Sequence, residues 1–102
     1  MENRLKLHDE LEKLLGTKNV YFQPPISLEM KYPCIVYERS KVKSNRANNR
    51  IYASRKAYMV TVIAKDPDSD LIDKVVECFP YVDYNRHFTS DNLNHDVFTI
   101  YW

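Results

Sequence analysis

Ala57-Tyr-Met-Val-Thr-Val-Ile-Ala64 carries eight residues in a row without Gly, Pro or a charge, most of them β-branched or aromatic. Such a run predicts a central β-strand, bounded by Arg55-Lys56 on one side and Lys65-Asp66-Pro67 on the other. Upstream, Tyr32-Pro-Cys-Ile-Val-Tyr37 predicts a second, mostly buried strand, with Pro33 tolerated at its start. No helical crossover is available between the two, so they are expected side by side and antiparallel at the sheet centre.

Between them, from Glu38 to Arg55, the chain turns polar and basic, with Asn48-Asn49 near the middle. The expectation there is a long hairpin arm or loop. Downstream, Asp66-Pro-Asp-Ser-Asp70 offers side-chain caps and an early proline, and Leu71, Ile72, Val75, Val76 and Phe79 recur at helical spacing until Pro80. A helix is expected there. Tyr81–Phe88 and His95–Trp102 then read as two strands around a turn at Thr89–Asn94. Strict alternation places Val82, Tyr84, Arg86 and Phe88 on one face and Asp83, Asn85 and His87 on the other.

Toward the amino end, Leu7, Leu11, Leu14 and Leu15 form one apolar stripe on a charged helix expected from about residue 3 to 15, with Gly16 as its cap. Asn19-Val-Tyr-Phe-Gln23 follows as a short or edge strand, stopped by Pro24-Pro25. The expected architecture is a single α/β domain of the α+β kind spanning residues 1–102, a mostly antiparallel or mixed sheet of four to five strands packed against two helices.

Composition agrees with one modest core. The chain has 102 residues, of which 44% are hydrophobic and 28% charged, with one Gly and five Pro, which excludes wholesale disorder and collagen-like sequence. No apolar run approaches a membrane span, so no membrane role is expected, and Met1-Glu-Asn-Arg-Leu-Lys-Leu-His8 is too charged for a signal sequence. Fifteen basic against fourteen acidic residues leave a net charge of +1, so attraction to a polyanion has to come from a local patch. Cys34 and Cys78 lack the further ligands of a zinc site; buried thiols in a reduced chain are favoured over one long-range disulfide.

Few groups offer chemistry. His87, Asp91, His95 and Asp96 are the one local collection resembling metal ligands or acid–base machinery, but no motif fixes three of them around an open position, and turn building is the simpler role. Asp66, Asp68, Ser69, Asp70 and Asp73 suit the start of a helix, without the glycine turn and terminal glutamate of a calcium loop and with nothing to activate Ser69. No cofactor, metal or catalytic residue is assigned, and an enzyme is the least supported class. The basic arm has more to offer: Arg39, Lys41, Lys43, Arg46, Arg50, Arg55 and Lys56 could meet phosphates and Tyr52 could stack on a base, or the same side chains could meet a protein.

Three stretches together, Tyr32–Tyr37, Tyr58–Ser69 and Tyr84–Tyr101, resemble the small tail-terminator, or tail-completion, proteins of long-tailed bacteriophages and related prophages. The resemblance runs from the leading helix to the last strand. It implies a structural virion protein that forms a ring of its own copies, hexameric in that family, at the head–tail junction after assembly in the host cytoplasm. Such a ring caps the tail-tube protein, stops tube growth and presents a surface to the head–tail connector, with DNA passing transiently through it. On that footing Arg39, Lys41, Lys43, Arg46, Arg50, Tyr52, Arg55 and Lys56 are expected to contact a neighbouring subunit, the tail tube or channel DNA. Asp66, Asp68, Arg86, Asp91, Asn92 and His95 are expected to form a structural polar network. A head-closure or connector adaptor of the same joining region, and a small nucleic-acid-binding protein using the arm, are the alternatives.

Overall fold

The elements follow in the order α1 (Glu2–Leu15), β1 (Val20–Phe22), β2 (Cys34–Arg39), β3 (Ala57–Ala64), α2 (Leu71–Cys78), β4 (Val82–Ser90) and β5 (Leu93–Tyr101). The structure is a computed structural model that describes residues 2–25, 28–40 and 56–102. Residues 41–55, and with them most of the basic arm, lie outside the described residues.

The five strands form one mixed sheet in the order β1-β2-β3-β5-β4, with β1 parallel to β2 and every other pair antiparallel. As the 57–64 run predicts, β3 is central, flanked by β2 and β5. Its alternation decides the layers: Tyr58, Val60 and Val62 point toward the helices, and Met59, Thr61 and Ile63 point away. The register carries that division across the sheet, with Tyr37, Val60 and Phe98 in one row and Val36, Thr61 and Val97 in the next.

Both helices cover one face. Leu7, Leu11 and Leu14 of α1, with Leu71 and Val75 of α2 and Phe79 just beyond it, join Ile35, Tyr37, Tyr58, Val60, Phe98 and Ile100 in a single core. Gly16 ends α1 with φ +82°, and its N–H donates to Glu12 O at 2.9 Å; the left-handed backbone is what requires glycine, since a Cβ there meets nothing within 4 Å. At α2 the capping differs from expectation. Asp70 occupies the N-cap without a side-chain bond, and instead Ser69 Oγ accepts from Leu71 N–H at 3.2 Å while Asp66 Oδ1 accepts from Asp68 N–H at 2.9 Å.

The expected faces of β4 need a correction. Register slips between Tyr84 and Arg86, leaving Asn85 as an extra residue in the edge strand. One inserted residue inverts the alternation beyond it, so Val82 and Tyr84 share the helix side with Ile100 and Phe98, whereas Arg86 and Phe88 move to the far side opposite Val97 and His95. The hairpin closes more tightly than the 89–94 turn expected, through Asp91 (φ 54°) and Asn92 (φ 62°) alone. Two consecutive positive φ values define the mirror-image turn that suits twisted strands, and Asn and Asp tolerate it best after glycine.

Candidate functional site

The sheet presents two different ends and one face without helices, and these hold the residues singled out from sequence. At one end β2 finishes and β3 begins. Ser40 N–H donates to Ala57 O at 2.9 Å, and Lys56 and Trp102 exchange backbone bonds at 3.2 and 2.9 Å, so the roots of the arm are fixed to the sheet. Arg39 and Lys56 are exposed there. Lys41, Lys43, Arg46, Arg50, Tyr52 and Arg55 lie outside the described residues.

The opposite end holds the β4–β5 turn, the start of β2 and the loop into α2. A cleft of about 400 Å³ opens there between Leu15, Tyr32, Pro33, Lys65, Asp70 and Lys74. Its charges are of both signs, and Lys74 Nζ lies 3.6 Å from Asp70 Oδ2. Asn94 fastens the hairpin to this end by donating from Nδ2 to Lys65 O at 3.2 Å.

The six residues expected in one polar network fall into separate places. Asp66 and Asp68 build the loop before α2, Asp91 and Asn92 form the hairpin turn, and Arg86 and His95 lie on the helix-free face. There the Arg86 guanidinium sits 5.2 Å from the Phe88 ring centroid, and Phe88 stacks on His95 at 4.6 Å and 15°. Among the described residues the bond from Asp68 N–H to Asp66 is the one link within the set.

The metal-like collection is likewise divided, by the alternation of the two strands. His87 and Asp96 face the helix side, His95 faces away, and each is engaged locally: His87 Nε2 with Asn94 Oδ1 at 3.0 Å, His95 Nδ1 with Leu93 O at 3.2 Å. Asp96, 6% exposed, accepts a 2.7 Å hydrogen bond from the Tyr84 hydroxyl. That bond, ahead of burial, raises the Tyr84 pKa above its ordinary value, because the carboxylate favours the protonated phenol. Among the described residues no group of three or more His, Cys, Asp or Glu is placed to hold a metal. No helix among them is long and apolar enough to cross a membrane.

A second, partly buried polar array, unread from sequence, joins α1 to the sheet. The Tyr37 hydroxyl accepts from Arg4 Nη1 at 3.1 Å and lies 2.7 Å from His8 Nδ1. On the other side of its ring, His8 Nε2 lies 3.5 Å from Glu12 Oε2. Burial raises the Tyr37 pKa and the Arg4 bond opposes it. Helical spacing places Arg4, His8 and Glu12 on one side, but nothing in sequence reveals Tyr37 beneath them. The cysteines are both free: Cys34 is buried on the helix-free face with its pKa raised by burial to about 11, and Cys78 is exposed on α2.

Comparison with protein-family models, with curated proteins and with solved structures finds no match.

Proposed function

We propose that the protein is a structural component of a long-tailed phage or prophage: a tail terminator that caps the head-proximal end of the tail tube, stops its polymerisation and offers the head a docking surface. The observation that supports this reading is where the three resembling stretches fall. Tyr32–Tyr37 enters β2, Tyr58–Ser69 covers β3 and the loop after it, and Tyr84–Tyr101 covers β4 and β5, so the likeness follows four hydrogen-bonded neighbours rather than scattered loops.

The role calls for complementary surfaces and no bond-making chemistry. One surface meets the tail-tube protein, one the head–tail connector, and a heterologous contact between copies closes the ring, a hexamer in this reading. The two ends of the sheet differ in the way such a role requires. The arm grows from one end, with Arg39 and Lys56 at its roots, while the other carries Asp66, Asp68, Asp70 and Asp91 together with Lys65 and Lys74. Two ends of different character suit a subunit held between two different partners, and the basic side chains of the arm suit transient contact with passing DNA.

Negative-stain microscopy of lysates from a phage or induced prophage lacking the gene tests this. Overlong tail tubes with detached heads are the expected result. Normal-length tails that fail to join heads would transfer the protein to the adaptor role, and intact particles would overturn the assembly reading and bring forward nucleic-acid binding by the arm. Removing residues 42–54 is expected to leave the subunit folded while weakening its assembly, read as a loss of ring mass and of tube capping.

A further inference from the structure

We propose that the outer edge of β4, from Arg86 to Ser90, pairs antiparallel with the same edge of a second copy of this chain, about a two-fold axis at Phe88. β4 is the last strand of the sheet, exposed from Asp83 to Ser90, and its outer side has no strand partner among the described residues. The opposite edge is the three-residue β1. A long open edge is a template for a further strand.

The hairpin fixes which backbone groups are available. Ser90 and Leu93 close a two-residue turn, so their backbone groups face each other, and alternation turns Phe88 toward β5 as well. His87 and Thr89 therefore direct their N–H and C=O groups outward. The bulge at Asn85 bounds this regular segment at its other end.

Within that segment one register satisfies both backbone and side chains. Placing Phe88 opposite Phe88 of the second copy sets His87 opposite Thr89, the two outward-facing residues, so that each pair exchanges its hydrogen bonds. The same register sets Arg86 opposite Ser90, with Asp91 of the second copy one residue further on. Arg86 and Asp91 have no ion-pair partner among the described residues, and the two-fold supplies the match twice. Like charges do not meet. Phe88, 37% exposed and already stacked on His95, gains an aromatic neighbour on its open side.

The pairing goes beyond the assembly reading. A two-fold contact is isologous, whereas a ring contact is heterologous, so the pair is a form of the free subunit rather than a piece of the ring.

Sedimentation of the full chain over a concentration series, from micromolar to millimolar, is expected to show a monomer–dimer equilibrium. Thr89→Pro removes one outward N–H without touching the bonds to β5, and is expected to weaken dimerisation roughly tenfold or more. A second measurement does not depend on tolerance of that proline. In a Cys78→Ser background, Phe88→Cys is expected to give a covalent dimer on mild oxidation, whereas Asp83→Cys, on the same face but across the bulge, gives little. A chain that stays monomeric at millimolar concentration, or a Phe88→Cys variant that crosslinks no faster than the Asp83→Cys control, overturns the proposal. A stable hexamer without the Phe88→Cys crosslink overturns it too, and leaves the ring standing.

Discussion

The two faces of the sheet are built from the same strands and have little else in common. On the helix side Ile35, Tyr37, Val60, Phe98 and Ile100 are completely buried. On the other side burial is graded. At one end Cys34, Ile63 and Leu93 lie under Met30, whose segment is held by a bond from Lys31 N–H to the Tyr21 hydroxyl at 3.3 Å. Met59, Thr61 and Thr99 are half-buried in the middle, and Arg86 and Phe88 are exposed at the hairpin. The covered face holds the fold together, and the open one leaves side chains free for contacts outside the chain.

Large-to-small substitution is the most direct way to break that contrast. Phe98→Ala empties the centre of the covered face, where its ring meets Tyr84 at 5.1 Å, and is expected to cost about 3–5 kcal/mol in urea unfolding. A loss of less than about 1 kcal/mol would mean that the helices do not seal this side.

Alkaline pH sharpens the comparison, because Cys34 anchors the less protected face. Its thiol rises from an ordinary 9.0 to about 11 through burial. Between those two values the unfolded chain gives up the proton and the folded chain keeps it, so stability is whole below pH 9 and falls as pH climbs toward 11. Two pH units correspond to roughly 2–3 kcal/mol. Cys34→Ala is expected to flatten that part of the pH–stability curve; Tyr37 and Tyr84, whose pKa values are also raised, supply the decline that remains above their own ordinary value. An unchanged slope in the variant would show that Cys34 is open to water.

The same contrast explains how far the sequence could be read. The covered face was legible because it demands apolar residues: the β-branched and aromatic run 57–64 and the leucine stripe of α1 both meet that demand, and Pro80 marks where the helical pattern of 71–79 stops. The bulge at Asn85 was not, since an exposed edge strand imposes no pattern that an extra residue would interrupt. That single residue put Arg86 and Phe88 on the face opposite to Val82 and Tyr84. Nor could spacing show that Tyr37 would meet Arg4 and His8, because that contact spans 33 and 29 residues of chain. The cysteines divide in the same way: a buried thiol was legible in the β2 run, whereas Cys78 falls on the exposed side of a helix whose other side carries Val75.

Tyr37→Phe probes the joint between α1 and the covered face. It keeps the ring, its 4.9 Å contact with Phe22 and its burial, and removes only the oxygen shared by Arg4 and His8. Arg4 retains its position 4.2 Å over the Phe22 ring, and His8 retains Glu12, so neither is stranded. The expected loss is about 1 kcal/mol, against several if either group were left buried and alone.

The smallest effect belongs to the open face. Phe88→Ala removes a ring as large as that of Phe98, but one 37% exposed, stacked on His95 and met by Arg86. Water already reaches that ring, and among the described residues β4 beyond the bulge is exposed and has β5 as its one strand partner, so no cavity is left behind. At concentrations too low for the proposed pairing, the expected cost is under about 0.5 kcal/mol. The same chemical deletion is thus worth several-fold less on one face than on the other. A cost at Phe88 approaching that at Phe98 would mean that the face without helices is also covered within the monomer, and no edge would then be free for a second copy.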